Sequence, residues 1–287
     1  MGMQRIEFAV ENGAAPPIPV DLRTTAPGRE RPAIIVCHGF LGYKRWGFFP
    51  YLSERLAAAG FHVFTMSFSM NGVDERTGLF ARPDEFAANT VSREIDDLRA
   101  VCGFIRRGAL PGAVAAGPWG FVGHSRGASI MILAAGAFPE VRSLVAWSAP
   151  GRLDRYTERR KEAWRRDRTL AFTDARSAGP LALAYSYYED IDSHREAFDL
   201  PEAAARLAIP FLMIHGDHDA AVTLRETRKL LALPRRPETR LEIVRGAGHT
   251  FNVTHPMAEP PAALERAAAL TEEWFGRTLP LVKEEFA

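Results

Sequence analysis

The sequence of 287 residues has few cysteines and almost no net charge. Its two cysteines, Cys37 and Cys102, lie in apolar segments, so we expect two packed thiols and no disulfide framework. A net charge of +1 gives no electrostatic basis for binding nucleic acid or an anionic membrane. The first ten residues lack an apolar stretch of signal-peptide length, and no run is long enough for a membrane span. These absences lead us to expect a soluble, cytoplasmic protein.

What the sequence does contain is apolar segments that alternate between strand and helix patterns. With 47% hydrophobic residues, the chain has enough apolar side chains for a sizeable core. Strand-like runs occur at 33–37, 61–66, 119–122, 141–147, 211–214 and 241–244, and helical patterns at 51–59, 89–107, 128–135, 224–233 and 262–275. This alternation predicts an α/β fold with a mostly parallel central sheet flanked by helices.

Residues 150–207 interrupt the alternation, and we interpret them as a helical cap inserted into a core made of residues 1–149 and 208–287. Residues 152–168 hold eight basic and four acidic side chains, which favours a solvated helix face; the alternative is that they belong to a lid or cap inserted between two strands. Aromatic residues of the insertion could wall an apolar pocket or pack against a second subunit, as in a homodimer. The candidate pocket residues are Trp147, Tyr185 and Tyr188, with Tyr187 and Phe198 as further aromatic side chains.

The pattern Gly-x-Ser-x-Gly occurs at Gly123, Ser125 and Gly127, between a short apolar strand and an apolar helix. Such a turn lifts a serine out of the backbone, and glycines two residues to either side remove side chains that would collide. The backbone N–H of Arg126 would then lie at the positive end of a helix, where it can face a developing oxyanion. The pattern therefore predicts a nucleophilic serine.

A serine hydroxyl needs a base, and the base needs a group that orients it. Two later strands run into loops that offer these groups: 211–214 is followed by His215-Gly-Asp217-His-Asp219, and 241–244 by a Gly-x-Gly-His249 loop. The chain order Ser, Asp, His, each after a strand, is that of the α/β-hydrolases.

On these motifs the chain resembles an α/β-hydrolase, and most closely small bacterial esterases of the dienelactone hydrolase, cinnamoyl esterase and serine aminopeptidase-like group. The resemblance is carried by His38-Gly-Phe40 with Trp46-Gly-Phe-Phe-Pro50, by the serine turn, by Gly216-Asp-x-Asp219 and by Gly246-x-Gly-His-x-Phe251. It covers residues 33 to 251, with the insertion matched least.

The resemblance implies a role for each site residue. Ser125 is expected to be the nucleophile, His249 the general base and acid, and Asp219 the orienting carboxylate; Asp217 is the competing acid and would otherwise brace its loop. The backbone N–H groups of Phe40 and Arg126 are expected to form the oxyanion hole. His38 and His124 are assigned structural roles behind the site.

No cofactor or metal is expected. The sequence His215-x-Asp217-His218-Asp219 looks superficially like a ligand set, but it lacks further ligands at matching strand ends. The expected activity is hydrolysis of small to medium acyl or aromatic esters through an acyl-enzyme. Amide, peptide or thioester hydrolysis with the same groups is the alternative, and a non-catalytic ligand-binding homologue is another. The sequence leaves open the substrate, the oligomeric state and the role of the Arg126 side chain.

Overall fold

The computed structural model describes residues 2–13, 15–108, 114–233 and 238–280 of the chain. Its main sheet contains eight strands: β1 (Gln4–Asn12), β2 (Ala15–Thr24), β3 (Glu30–Cys37), β4 (His62–Met66), β5 (Val114–His124), β6 (Val141–Trp147), β9 (Phe211–Gly216) and β10 (Thr239–Val244). The strand order is β1-β2-β4-β3-β5-β6-β9-β10. In this order β2 is antiparallel to both of its neighbours, β1 and β4, and the six strands from β4 to β10 are parallel to one another. The predicted α/β fold with a mostly parallel sheet is confirmed.

Helices cover both faces of this sheet. They are α1 (Phe49–Ala58), α2 (Pro83–Ala87), α3 (Val91–Arg106), α4 (Arg126–Ala134), α5 (Glu158–Asp167), α6 (Ser186–Ser193), α7 (Leu200–Arg206), α8 (Leu224–Thr227) and α9 (Ala262–Thr278). Because side chains alternate along a strand, Ile34 and Val36 pack with α1 and α9 on one face, whereas Ile35 and Cys37 pack with α3 and α4 on the other. This two-sided burial explains the unbroken apolar sequence of β3.

The structure departs from the predicted elements in two places. The helix expected over residues 224–233 is only one turn of α-helix, α8, followed by a 3₁₀ turn at Arg228–Leu231. Between the predicted strand at 61–66 and the predicted helix at 89–107, where no element was predicted, the structure has the short helix α2, with Pro83 in its first turn. Neither difference changes the sheet or the positions of the strand ends that carry the motifs.

Residues 150–207, called here the insertion, leave the sheet after β6 and return to it before β9. They form α5, α6, α7 and a two-stranded antiparallel hairpin of β7 (Thr169–Phe172) and β8 (Leu181–Ala184). Trp164 of α5 is buried at the centre, where its indole N–H donates to the carbonyl of Leu183 at 3.0 Å. Ser92 of α3 donates its backbone N–H to Asp190 of α6 at 2.9 Å, which joins the insertion to the core.

In the part of the chain that the structure describes, no helix combines the length and apolar character needed to cross a membrane.

Candidate active site

Ser125 lies at a sharp turn between β5 and α4. Its backbone has φ 53° and ψ −119°, a conformation that is strained for a residue with a side chain. The turn is held because the Ser125 N–H donates to the carbonyl of Trp147, at the end of β6, at 2.8 Å. A Cβ atom on Gly123 would lie 2.5 Å from the backbone of Ala128, and one on Gly127 would lie 2.3 Å from the carbonyl oxygen of His38. Both glycines are therefore required by close backbone packing.

The structure brings Ser125, His249 and Asp219 together at the carboxyl ends of three parallel strands. The Oγ atom of Ser125 is 3.0 Å from Nε2 of His249, and Nδ1 of His249 is 2.8 Å from Oδ2 of Asp219. Since a carboxylate accepts hydrogen bonds, the imidazole carries its proton on Nδ1 and presents Nε2 as an acceptor to the serine hydroxyl. This arrangement can remove the proton from Ser125 as the oxygen attacks.

Asp219 is held as an acceptor by its own loop. Its Oδ1 accepts the backbone N–H groups of Ala221 and Val222 at 2.9 and 2.8 Å. Burial opposes its ionisation, but the hydrogen bonds from His249 and from the Val222 N–H outweigh burial and lower the pKa of Asp219. A charged carboxylate is thus maintained beside the imidazole.

Asp217, the competing acid, faces away from this group. It is exposed, and its Oδ1 accepts the backbone N–H of Gly246 at 2.6 Å, which ties the loop after β9 to the loop after β10. The loop carrying His249 is further held by Asn252, whose side chain accepts from the Gly248 N–H at 2.9 Å and donates to the Gly246 carbonyl at 3.0 Å.

Two buried histidines support the site from behind. His124 packs on the ring of His249, with ring centroids 4.8 Å apart, and its Nε2 is 2.9 Å from the carbonyl oxygen of His249. His38 bonds the carbonyl of Gly39 through Nδ1 at 2.8 Å and accepts the Phe68 N–H through Nε2 at 3.1 Å. Burial lowers the pKa of each ring to about 3, so both are neutral near neutral pH.

The segment Gly39-Phe40 runs beside the serine turn. A Cβ atom on Gly39 would lie 3.1 Å from the Cβ of Ser125, so the backbone of this segment approaches the turn closely. Phe40 lines the space in front of Ser125, and Arg126 is the first residue of α4, where a backbone N–H has no partner within the helix. The two N–H groups expected to form an oxyanion hole are therefore carried by segments that meet at Ser125.

The side chain of Arg126 turns inward, toward an acid that the sequence analysis did not single out. It forms an ion pair with Glu94 of α3, whose side chain is fully buried, and its guanidinium lies 4.7 Å from the centre of the Phe40 ring. Burial raises the pKa of Glu94 to about 7, and the charge of Arg126 opposes this rise. The sequence contains one signal that Glu94 is buried, because it falls between Val91 and Leu98 on the apolar face of α3.

Two cavities open at Ser125, and both are also lined by Phe40 and Arg155. The first, about 300 Å³, is called here the insertion-side cavity; its other lining residues are Arg126, Pro150, Arg152, Leu153, Tyr156, Arg160, Phe172 and Tyr187. The second, about 350 Å³, is called the histidine-side cavity; it is also lined by Gly39, Leu41, Gly42, Trp46, Phe49, His124, Asp174, Arg176, Ala221, His249 and Thr250.

Of the aromatic residues expected at the pocket, Tyr187 lines the insertion-side cavity, whereas Trp147, Tyr185 and Tyr188 lie elsewhere. Trp147 is fully buried in the core, where its indole N–H donates to Thr271 at 2.9 Å, because β6 is covered on both faces. Tyr188 is buried beside Trp164, and Tyr185 packs on Tyr188 with ring centroids 5.7 Å apart. Trp147, Tyr185 and Tyr188 are absent from the described lining residues of both cavities, and Tyr156, which was not expected there, lines the insertion-side cavity beside Tyr187.

His215, which the sequence placed in a possible ligand pattern, is a buried structural residue. Its Nε2 is 2.8 Å from the carbonyl oxygen of Val222, and its Nδ1 is 2.9 Å from the hydroxyl of Thr227. Both ring nitrogens are therefore used, one by the loop after β9 and the other by α8.

The fold and the site define the class of this protein, which is that of the α/β-hydrolases. Residues 34–267 match the Alpha/beta hydrolase family, and the chain belongs to that family. No curated protein sequence gives a significant match.

Solved structures with the same fold extend over nearly the whole chain. Est1E from Butyrivibrio proteoclasticus is 16% identical, with a TM-score of 0.68, 95% of this chain covered and 98% of that one. Dienelactone hydrolase from Anabaena variabilis is 19% identical, with a TM-score of 0.61 and coverages of 96% and 99%. Alpha/beta hydrolase domain-containing protein 10 from mouse is 15% identical, with a TM-score of 0.69 and coverages of 95% and 99%. The family supports a hydrolase activity, and these neighbours show that the fold extends over nearly the whole chain.

Proposed function

We propose that the protein is a serine hydrolase that cleaves carboxylic esters through an acyl-enzyme. The observation that carries the proposal is the continuous set of hydrogen bonds from Ser125 Oγ through His249 to Asp219, at 3.0 and 2.8 Å. A nucleophile, a base and an orienting carboxylate within hydrogen-bond reach are the groups that acyl transfer to a serine requires.

In the proposed reaction, Ser125 Oγ attacks the ester carbonyl while Nε2 of His249 takes the hydroxyl proton. The negative charge on the carbonyl oxygen is stabilised by the backbone N–H groups of Phe40 and Arg126, each worth about 3 kcal/mol of barrier. His249 then returns the proton to the leaving oxygen, which gives the alcohol and an acyl-Ser125 ester. Water, activated by the same imidazole, hydrolyses this ester and releases the acid.

Asp219 acts through the imidazole in this scheme. Its ionised state keeps the Nδ1 proton in place and stabilises the positive charge that His249 acquires in the transition state. The lowered pKa of Asp219 keeps that charge available well into the acidic range. His124 stays neutral beside His249 and adds no competing positive charge.

The insertion is proposed to act as the cap over this site. It supplies Tyr156, Arg160, Phe172 and Tyr187 to the insertion-side cavity, so it encloses one side of the space in front of Ser125. Substrate size would then be set by the insertion, whereas the chemistry is supplied by the loops at the sheet edge.

The test is hydrolysis of p-nitrophenyl esters from acetate to decanoate, with Ser125→Ala as the matched variant. We expect turnover by the natural protein and a loss of roughly 10⁴-fold or more in the variant, with an unchanged circular dichroism spectrum. Labelling by a fluorophosphonate, followed by peptide mass analysis, should place the adduct on Ser125. Labelling without ester turnover would indicate that the substrate is an amide or a thioester. Absence of both labelling and turnover would indicate a ligand-binding homologue without catalytic activity.

A further inference from the structure

The insertion-side cavity is strongly cationic although the chain as a whole has a net charge of only +1. Its lining includes four arginines, Arg126, Arg152, Arg155 and Arg160, and none of its described lining residues is acidic. Three of these arginines come from the insertion, within the basic segment 152–168, which was predicted to be a solvated helix face. The positive charge is therefore concentrated beside the serine.

Two of the four arginines have their charge neutralised by an acid outside the cavity. Arg126 pairs with the buried Glu94, and Arg155 pairs with Glu226 at 2.9 Å. Within the described ranges, Arg152 and Arg160 have no carboxylate at ion-pair distance. The guanidinium of Arg160 instead lies 5.8 Å from the ring centre of Tyr156 and 5.9 Å from that of Phe172. Two positive charges thus remain without a counter-charge at this cavity.

The histidine-side cavity has a different character. Besides the shared Arg155, it is lined by Arg176, which pairs with Asp174 at 2.8 Å. Trp46 and Phe49 contribute to an apolar wall. Of the two cavities that share Ser125, one is therefore cationic and the other is neutral and largely apolar.

The position of His249 tells which part of an ester enters each cavity. In the proposed reaction, His249 gives its proton to the leaving oxygen, so the alcohol part must lie on the side of the imidazole. His249 lines the histidine-side cavity and is not among the described residues of the other cavity. The alcohol part then occupies the neutral cavity, and the acyl part extends toward Arg152 and Arg160.

We propose that the acyl part of the substrate carries a carboxylate, so that the enzyme cleaves half-esters of short dicarboxylic acids that have an apolar alcohol part. This inference rests on the proposed function and names the substrate class of the same site. Guanidinium groups bind carboxylates through paired N–H donors, and such charge-assisted bonds are stronger than neutral ones. The reaction consumes one water and releases first the alcohol and then the dicarboxylic acid.

The experiment compares monobenzyl glutarate with its neutral isostere, the benzyl ester of 5-amino-5-oxopentanoic acid, by release of benzyl alcohol. The two esters share the leaving group and differ only by a terminal carboxylate or amide. We expect kcat/KM for the glutarate to be about tenfold or more above that for the amide, and the ratio to fall as salt is raised. A ratio near one contradicts the proposal.

Substitutions of single arginines test which side chains cause the preference for the carboxylate. Arg160→Gln and Arg152→Gln should each lower the ratio of the two kcat/KM values, and the double variant should bring it close to one. Arg159→Gln removes the same charge from the next position of α5 but lies outside the cavity, so its ratio should equal that of the natural protein. An equal effect of Arg159→Gln would show that only the general charge of the insertion matters and would overturn the assignment.

Further controls separate this inference from the proposed function. Benzyl pentanoate and 4-carboxybenzyl pentanoate carry no charge on the acyl part, and a preference for the second would place the anion in the wrong cavity and reject the proposal. An enzyme that cleaves p-nitrophenyl acetate but treats the two glutaric esters alike, or cleaves neither, retains the proposed function and loses the acyl assignment. Absence of both p-nitrophenyl turnover and fluorophosphonate labelling removes the proposed function itself.

Discussion

Arg126 and Glu94 form a buried ion pair that links the first turn of α4, directly after Ser125, to the first turn of α3. The carboxylate also accepts a hydrogen bond from the side chain of Asn89 at 2.8 Å. The same guanidinium contacts the ring of Phe40, so the pair touches both segments proposed to form the oxyanion hole. Its charge balance should therefore be visible in the stability of the protein.

Arg126→Met should make stability more sensitive to pH. Burial already raises the pKa of Glu94 to about 7, and removing the positive charge should raise it further. A carboxyl with a raised folded-state pKa keeps its proton where the unfolded chain has lost it, so stability falls as pH rises from the unfolded-state pKa toward the folded-state pKa. We expect the variant to lose roughly 1–2 kcal/mol more at pH 8 than at pH 6, relative to the natural protein, in urea unfolding.

Two further variants make that measurement specific. Adding Glu94→Gln to Arg126→Met should abolish the extra pH dependence, because the amide does not titrate. Arg99→Met removes a cation of α3 whose partner, Asp96, is exposed, and it should change stability by about 0.5 kcal/mol or less at either pH. A pH-independent effect of Arg126→Met would mean that Glu94 does not titrate as described.

Asp219→Asn and Asp217→Asn should differ greatly in activity. An amide at position 219 would no longer hold the Nδ1 proton of His249 with a negative charge, and we expect kcat to fall by about 10³- to 10⁴-fold. An amide at position 217 can still accept the Gly246 N–H, so kcat should stay within about twofold of the natural value. Steady-state kinetics on one p-nitrophenyl ester measures the two losses. A larger loss in the Asp217 variant would show that Asp217, and not Asp219, orients His249.

Gly127→Ala should damage both stability and turnover. The added Cβ would lie 2.3 Å from the His38 carbonyl, and relief of this contact must displace either α4 or the segment leading to Phe40. We expect a loss of about 1–3 kcal/mol and a lower kcat. Gly136→Ala is the control, since its Cβ would meet no atom within 4 Å and its effect should stay near 0.5 kcal/mol. Equal urea-unfolding midpoints for Gly127→Ala and Gly136→Ala would contradict the close packing of Gly127 against the His38 carbonyl.

Trp164→Ala should loosen the insertion selectively. Its ring packs against Tyr156 and Tyr187, which line the insertion-side cavity, and its loss leaves a void of aromatic size. We expect earlier cleavage within residues 150–207 in limited proteolysis and a changed chain-length optimum for p-nitrophenyl esters. Trp274→Ala, a buried replacement on α9 away from both cavities, should lower overall stability but keep that optimum. The same proteolytic pattern in both variants would argue against a selective effect.

The strands and the order of the site residues were predictable because both leave local patterns. A strand covered on both faces needs an unbroken apolar run, as at Ile34 to Cys37, and parallel strands bring their carboxyl ends to one edge. The loops after β5, β9 and β10 therefore meet without any long-range information in the sequence. The fold class was predicted on this basis, and the family from the resemblance of the motifs to those of α/β-hydrolases; both are confirmed.

The lining of the cavities was not predictable in the same way. Trp147 was expected at the pocket, but side-chain direction alternates along β6 and its indole points into the core. The basic segment of the insertion has no period that separates Arg160, which reaches the cavity, from Arg159, which does not. Such distinctions depend on how α5 packs against the hairpin, and a sequence pattern does not contain them.

The two ends of the insertion leave and rejoin neighbouring strands. β6 and β9 pair directly, with Trp147 opposite Ile214, and the Ser148 N–H donates to the Ile214 carbonyl at 2.9 Å. Because β6 and β9 are parallel, the chain leaves the sheet at its carboxyl edge and must cross back to re-enter at its amino edge. The last helix of the insertion, α7, packs against α4 and belongs to this crossover, whereas α5, the β7–β8 hairpin and α6 precede it in the chain. Selectivity can therefore evolve, or be engineered, by exchange of the segment before α7, while the crossover and the catalytic loops keep their positions.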